Sequence, residues 1–253
     1  MFKNLKQASL ASLVNFFEHF ESFPWEQSEL DLLYELFIWN HLETFSSDGS
    51  QNITGLMKLF VQWSKNPQNF HLLRKSQNDT DELYPLKSII ELLSNKNSSL
   101  SVNECVMDML ERLLTLKKDE EEISQDYNYG TKIIQPFIHE ILLKLKEYLN
   151  NRRIKHLNQR NLLILSRVTE LVTSEESSKI LLDILFPLTL KRTIDGHADT
   201  ESIMKLMNTI SNLLKSIKQP KQYLKLMAPL FEQIQEVSLR KFLIKIFNQM
   251  LRA

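Results

Sequence analysis

The stretch Thr131–Leu149, TKIIQPFIHEILLKLKEYL, decides the fold of this chain. Its apolar residues recur at the three- and four-residue steps that line one side of an α-helix. These residues are Ile133, Ile134, Phe137, Ile138, Ile141, Leu142, Leu145, Tyr148 and Leu149. Pro136 lacks an N–H and crowds the preceding turn, so it bends the helix near its start. The stretch therefore predicts a bent helix whose wide apolar side is covered by neighbouring helices from more than one direction.

The same proline-containing pattern recurs along the chain. Pro85, Pro136, Pro187 and Pro229 each lie in an apolar helical stretch, at successive spacings of 51, 51 and 42 residues. A second, proline-free helix is predicted between each pair of prolines, which is typical of HEAT and armadillo arrays with repeats of about 40–50 residues. A closed helical bundle is the alternative, but it gives no reason to bend every second helix. We predict an all-α, HEAT/armadillo-like α-solenoid of antiparallel helix pairs.

The predicted helix pairs fill most of the chain. One of these helices is predicted to begin with a capping box, because Ser101 and Glu104 have the required spacing. Because the helical pattern continues to the last residues, we expect residues 1–253 to form a single segment of a longer array, with no separate globular domain. The predicted pairs are Leu83–Leu93 with Ser101–Leu116, Thr131–Leu149 with Asn158–Val172, Ser177–Lys191 with Glu201–Ile217, and Lys221–Ile234 with Val237–Leu251.

Composition excludes several classes of function. Four glycines are too few and too scattered for a Gly-rich phosphate loop. Cys105 is the only cysteine, so the chain has no internal disulfide and no cysteine-based zinc site. No apolar run reaches the roughly 18 residues of a membrane span, and no signal peptide is evident. We therefore expect an intracellular protein with no cofactor and no membrane association.

The charge of the chain is balanced overall but divided between its halves. Residues 1–127 contain 11 Lys and Arg against 20 Asp and Glu, whereas residues 128–253 contain 20 against 11. This uneven distribution of charge bears on which partners the protein binds rather than on which fold it adopts.

Residue patterns typical of catalysis are missing from the sequence. No two of the six histidines lie three to five residues apart, so there is no helical metal pair and no HExxH motif. His139 and Glu140 fall on the polar side of their helix, where a solvated surface is a better interpretation than an acid–base site. We therefore expect no enzyme activity and no small-molecule substrate.

Aromatic residues near the start of the chain have helical spacing, which favours a core over a surface that stacks nucleic-acid bases. They are Phe16, Phe17, Phe20, Trp25, Phe37, Trp39 and Trp63.

A basic group is the best candidate for contact with a partner. It covers the end of the Thr131–Leu149 helix and the turn after it. The helix dipole favours cations at that end, but it accounts for only two or three of them. The others form a candidate surface for RNA or an acidic protein. The members are Lys144, Lys146, Arg152, Arg153, Lys155 and Arg160.

Several stretches resemble, in order, one known family. FFEHFESFPWEQSELDLLYELFIWNHLETF (16–45) and GLMKLFVQWSKNPQNFHLLRK (55–75) are followed by YPLKSIIELL (84–93), VMDMLERLLTL (106–116), YGTKIIQPFI (129–138) and LLILSRVTELV (162–172). They are similar to a region of the small-subunit processome component 20 family, also called down-regulated in metastasis. The similarity covers nearly all of this chain.

The resemblance implies a helical-repeat scaffold in nucleolar ribosome biogenesis, which supports the processome and the maturation of small-subunit ribosomal RNA. It implies other processome proteins, and pre-ribosomal RNA, as partners, and it carries over no catalytic residue. A HEAT-type adaptor or transport receptor unrelated to ribosomes is the alternative, and an enzyme comes third.

Overall fold

A computed structural model describes residues 2–20, 26–39, 42, 55–75, 85–95, 98–115, 129–150, 159–195 and 199–252. Every regular element within these ranges is helical, which confirms the predicted all-α class. The α-helices are α1 (Phe2–His19), α2 (Gln27–Leu33), α3 (Gly55–Trp63), α4 (Pro85–Glu91), α5 (Leu100–Thr115), α6 (Tyr129–Ile134), α7 (Ile138–Leu149), α8 (Gln159–Leu171), α9 (Glu175–Asp195), α10 (Thr200–Lys215), α11 (Leu224–Gln233) and α12 (Val237–Arg252).

Shorter turns extend or join some of these helices. A π-helical turn, Tyr34–Ile38, continues α2, and a 3₁₀ segment, Pro67–Arg74, follows α3. A 3₁₀ turn at Pro220–Tyr223 leads into α11.

Pro136 interrupts the helix predicted at Thr131–Leu149. Residues Gln135–Phe137 form a 3₁₀ turn that separates α6 from α7. Phe137 has φ −103° and ψ 5°, outside the helical region, because Pro136 cannot donate the hydrogen bond that would continue the α-helix. The sequence predicted one helix with a bend at Pro136, whereas the structure has two helices separated by a 3₁₀ turn there.

The other three prolines are accommodated differently. Pro187 and Pro229 lie inside α9 and α11, which continue through them. Pro85 is instead the first residue of α4, a position where the missing N–H has no helical acceptor to lose.

The predicted capping box at Ser101 is wrong. Helix α5 begins at Leu100, and Ser101 lies within its first turn. Ser99 is the cap, because its Oγ accepts a hydrogen bond from the backbone N–H of Val102 at 3.3 Å. Two serines two residues apart offer the same capping chemistry, and the sequence alone did not distinguish them.

Contacts group the chain into two compact units, Met1–Val168 and Thr169–Ala253.

In the first unit, α1 and α3 run in the same direction. Gly55 of α3 lies against Leu10 of α1, because a Cβ placed on Gly55 would be 3.1 Å from Leu10 Cβ. Gln62 Nε2 of α3 donates a hydrogen bond to the Phe17 carbonyl of α1 at 3.3 Å. Both contacts join residues that are 45 positions apart in the sequence. Two contacts at one offset indicate helices in equivalent positions of successive layers, as expected in a repeat array.

An aromatic core fills the space beside these helices. The buried Trp63 ring contacts Phe17 edge-on at 5.6 Å and stacks on Tyr34 at 6.0 Å. The Tyr34 hydroxyl donates to the Leu72 carbonyl, which ties α2 to the 3₁₀ segment. The extended helix α2 thereby gains a fixed position against α3.

In the second unit, α9 and α10 form an antiparallel pair. Ser216, just after α10, donates to Ser178 near the start of α9 at 3.3 Å. The backbone N–H of Lys218 donates to Glu175 at 3.4 Å. The end of one helix thus lies against the start of the other.

The next pair packs on the first through equivalent helices. Phe186 of α9 stacks on Tyr223 at 5.9 Å, directly before α11. Ser211 of α10 donates to Gln249 Oε1 of α12 at 2.8 Å, and Gln249 Nε2 returns a bond to the Ser211 carbonyl at 2.9 Å. Within this unit the packing is that of stacked helix pairs, as predicted for an α-solenoid.

Two parts of the prediction stay open. The assignment to the HEAT or armadillo type stays a prediction, as does the single uninterrupted segment over residues 1–253. The change from the acidic to the basic half falls at residues 127–128, outside the described residues.

Candidate functional site

The structure describes three of the six members of the predicted basic group, Lys144, Lys146 and Arg160. Lys144 and Lys146 both lie on α7 and are half-buried. A two-residue step turns an α-helix by about 200°, so the two side chains leave opposite sides of the helix. Arg160 lies in the first turn of α8. Arg152, Arg153 and Lys155 lie outside the described residues, so the predicted surface stays a prediction.

Arg160 is engaged by two carboxylates of α5. Its Nε lies 2.7 Å from Glu111 Oε2, and its Nη2 lies 3.4 Å from Asp108 Oδ1. Arg112 also pairs with Asp108. We call Asp108, Glu111, Arg112 and Arg160 the charge cluster. Its two cations and two anions balance, so Arg160 brings little uncompensated charge to an RNA surface.

The charge cluster also reaches a third helix. Arg112 Nη1 donates to the Val61 carbonyl and to Ser64 Oγ, each at 3.3 Å. These acceptors lie at the end of α3, where the last carbonyls have no partner within the helix. The charge cluster therefore joins α3, α5 and α8, and its ion pairs and hydrogen bonds stabilise the packing of these helices.

The environment of Cys105 does not favour a reactive thiolate. Burial raises the pKa of the Cys105 thiol, and the carboxylates of Asp108 and Glu104 raise it further. Arg112 and Arg160 lower that pKa by a smaller amount. The thiol is therefore the favoured form at neutral pH, and a thiol is a poor nucleophile.

Neither a metal site nor a membrane-spanning helix is found in the described part of the chain. There, no three His, Cys, Asp or Glu side chains come together as they would around a metal ion. His139 is exposed on α7, as its position on the polar side predicted. Among the described helices, none has the length and apolar character needed to cross a membrane.

Most described members of the aromatic set belong to the core, as predicted. Phe17, Trp39 and Trp63 are buried, and Phe16 and Phe37 are half-buried. Phe20 is the exception, because its ring is exposed and stacks on Phe16 at 4.9 Å. Trp25 lies outside the described residues. Buried rings cannot stack on bases, so Phe17, Trp39 and Trp63 provide no base-binding platform.

The sequence indicated Arg160 as part of a surface for partners and did not reveal its ion pairs with Asp108 and Glu111 in the charge cluster. A signal was present in α5, because Asp108, Glu111 and Arg112 have the three- and four-residue spacing of one helical face. The sequence did not show that α8 would supply the second arginine to that face.

Stacked helix pairs joined by bonds at repeated offsets, with a charge cluster that serves packing, define an all-α protein of the helical-repeat class. The family model described as "U3 small nucleolar RNA-associated protein 20, N-terminal" matches residues 1–253. The chain belongs to that family, which confirms the resemblance seen in its sequence. No solved structure matches the chain.

Proposed function

We propose that this protein is a non-catalytic helical scaffold in the nucleolus, where it supports assembly of the small-subunit processome and maturation of small-subunit ribosomal RNA. The observation that carries the proposal is the family match over residues 1–253. The family description associates its members with U3 small nucleolar RNA. A scaffold of stacked helices would hold partners by its surfaces rather than by a pocket.

The chemistry of the described residues supports a non-catalytic role. The carboxylates of the charge cluster are paired with arginines. The Cys105 thiol is kept protonated because burial raises its pKa. An active site would instead need an acid, base or nucleophile poised to react in a cleft.

Other processome proteins and pre-ribosomal RNA are the proposed partners. Because Arg160 is paired with Asp108 and Glu111, RNA contact would depend on Lys144, Lys146 and three basic residues that follow α7 in the sequence. Those three are Arg152, Arg153 and Lys155.

The first test is association in cells. The tagged chain should accumulate in nucleoli and co-precipitate U3 small nucleolar RNA together with processome proteins. A chain that remains outside nucleoli and precipitates no U3 RNA would overturn the proposal and favour an adaptor or transport receptor unrelated to ribosomes.

The second test concerns direct RNA contact. Binding to a single-stranded pre-ribosomal RNA segment is measured by fluorescence anisotropy over a range of salt concentrations. Each phosphate contact contributes about −0.7 to the slope of log K against log[salt]. Replacing Arg152, Arg153 and Lys155 together with Ala should therefore make the slope shallower by about 2.

A matched control replaces three exposed lysines of the second unit, Lys218, Lys221 and Lys225, with Ala. This control removes the same charge and should leave the slope unchanged. Equal slopes for the wild-type chain and the Arg152/Arg153/Lys155 variant would exclude the RNA surface while leaving the scaffold proposal intact.

A further inference from the structure

Helix α10 carries an exposed polar row along one side. The members of the row recur at steps of three and four residues, so they lie above one another on the helix surface. Two of them are lysines and two are asparagines, and all are exposed. We call this set the α10 row, and its members are Lys205, Asn208, Asn212 and Lys215.

Helix α12 carries an equivalent row. Its members follow the same three- and four-residue steps and are also exposed. The range of α12, Val237–Arg252, contains no acidic residue that could offset them along the helix. We call this set the α12 row, and its members are Lys241, Lys245, Asn248 and Arg252.

The two rows lie side by side on one surface. Ser211 of α10 and Gln249 of α12 face each other and are joined by two hydrogen bonds. Because short connections make both helices antiparallel to α11, they run in the same direction. At about 100° per residue, the α10 row is centred about 80° from Ser211, and the α12 row about 70° from Gln249 in the opposite sense. Opposite rotations from facing residues lead to the same side, so the rows form one surface, the α10–α12 face.

The exposure of the α10–α12 face does not depend on a missing neighbour. The α10 row is exposed although α12 packs on the adjacent side of α10. On α12, the side opposite Gln249 carries Arg240, Ile244 and Leu251, by the same helical geometry. A further helix pair stacked on α12 would cover those three residues and would leave the α12 row exposed.

Cations outnumber carboxylates on the α10–α12 face. The rows contain five Lys and Arg and no Asp or Glu, while Glu201 and Asp199 lie beyond the row at the start of α10. Glu201 is 2.7 Å from Lys205, but an exposed ion pair holds its partners weakly. Lys215 donates to the Asn212 side chain at 3.1 Å, and this neutral partner leaves its charge in place. The face therefore keeps a net positive charge.

We propose that the α10–α12 face binds single-stranded RNA along its phosphate backbone. Lysine and arginine neutralise phosphates and release their counterions. The three asparagine amides both donate and accept hydrogen bonds, which suits phosphate, ribose hydroxyl and base edges beside the cations. The proposal rests on the proposed function and gives it a second contact surface, which shares no residue with the predicted basic group.

The composition of the face distinguishes RNA from other anionic partners. Protein interfaces are centred on apolar and aromatic residues and are depleted of charge at that centre. A membrane surface requires apolar side chains that insert into lipid. The two rows consist of lysine, arginine and asparagine, without an apolar member. A polyanion that also forms hydrogen bonds is the ligand that matches both kinds of side chain.

The test measures binding of a fluorescent single-stranded RNA of about twelve nucleotides by anisotropy over a range of salt concentrations. The full chain is compared with a variant that carries Lys241→Ala, Lys245→Ala and Arg252→Ala. Each phosphate contact contributes about −0.7 to the slope of log K against log[salt], so the slope of the variant should be shallower by about 2. Its Kd should rise by about tenfold or more at low salt.

A second variant and a matched control separate the contributions. Asn208→Ala with Asn248→Ala should weaken binding by about threefold and leave the slope unchanged, because hydrogen bonds are lost but no charge is removed. The control replaces Lys218, Lys221 and Lys225 with Ala, which removes three cations of the same unit outside the two rows and should leave binding unchanged. Circular dichroism checks that each variant is folded.

Three outcomes would overturn the proposal. One is an unchanged Kd and slope for the Lys241/Lys245/Arg252 variant. Another is an equal loss in the control variant, which would indicate general attraction to lysines. The third is tighter binding of a polyglutamate peptide than of the RNA at this face, which would indicate an acidic protein partner. None of them affects the proposed function, which fails only if the wild-type chain stays outside nucleoli and precipitates no U3 RNA.

Discussion

Gly130 allows α6 to approach the last turn of α5 closely. A Cβ at this position would lie 2.1 Å from the Leu113 carbonyl oxygen, well inside contact distance. The obstacle is backbone, which cannot rotate away as a side chain can. A residue with no side chain is therefore needed where these two helices meet.

Gly130→Ala should lower the free energy of unfolding by about 1–3 kcal/mol, because α5 and α6 must separate to admit the methyl group. Urea denaturation followed by circular dichroism measures the change. Gly55→Ala is the matched control, since its Cβ would meet only the Leu10 side chain, at 3.1 Å. A larger loss for Gly55→Ala than for Gly130→Ala would contradict the proposed packing.

Tyr223 gives the second unit a dependence on alkaline pH. Burial raises the pKa of Tyr223 to about 12, and the nearby Asp183 carboxylate acts in the same direction. A pKa raised on folding means that the neutral form is favoured in the folded state. Its contribution to stability is therefore complete below the unfolded pKa of about 10 and is lost as the pH rises toward 12.

Tyr223→Phe should make stability less sensitive to pH between about 10 and 12, because phenylalanine has no hydroxyl to ionise. The measurement is the urea midpoint at several pH values, with tyrosinate absorbance followed in parallel. The variant should also lack one late-titrating tyrosine. Identical pH dependence in the two proteins would show that ionisation of Tyr223 is not coupled to unfolding.

At the scale of the element, helix α5 depends on a cap that its sequence leaves ambiguous. The Ser99 hydroxyl accepts from the Val102 N–H and also contacts the Ser101 hydroxyl at 2.9 Å. The first amides of a helix have no partner within it, so a serine at the cap position supplies one.

Ser99→Ala should destabilise the protein by about 1 kcal/mol, the usual effect of removing a serine cap. Ser101→Ala should have little effect, because Ser101 is inside the first turn, where alanine is the better helix former. Thermal unfolding of the two variants side by side provides the comparison. A greater loss for Ser101→Ala would restore the capping box predicted from sequence.

Helices were predictable from the sequence where the spacing of apolar residues and the positions of the prolines indicated the same element. The predicted helix Val237–Leu251 is observed at Val237–Arg252, and the bend predicted at Pro136 falls at the 3₁₀ turn Gln135–Phe137. The π-helical turn at Tyr34–Ile38 was not predicted from the sequence. Its Tyr34 stacks on Trp63 of α3, a contact that the local pattern of residues does not reveal.

The candidate basic group was less predictable than the helices that hold it. Helical geometry alone separates Lys144 from Lys146, since a two-residue step leads to opposite sides. The pairing of Arg160 with Glu111 spans 49 residues and depends on how α8 packs against α5. Periodicity within one helix carries no information about such a partner.

At the scale of the whole molecule, the two compact units should respond separately to a cavity. Leu142 and Leu182 are both fully buried, one in each unit. In a repeat protein each layer depends mainly on its neighbours, so damage is expected to stay near its origin.

Leu182→Ala should destabilise the second unit by about 2–5 kcal/mol through the cavity it leaves. Hydrogen exchange should become faster in residues 175–252 and remain near the wild-type rate in residues 2–150. Leu142→Ala should give the reverse pattern, which makes each variant the control for the other. Uniform acceleration over the whole chain in both variants would instead indicate one cooperative unit.

The recurrent offsets between bonded residues have a consequence for the order of events during synthesis. Gln62 bonds to Phe17 across 45 residues, Arg112 to Ser64 across 48, and Ser211 to Gln249 across 38. In each pair, the later residue is therefore synthesised about one layer after the earlier residue that it contacts. Contacts of such limited range let folding begin before translation ends, with each new layer built on a finished one. We expect a nascent chain to acquire protease resistance in steps of about one layer.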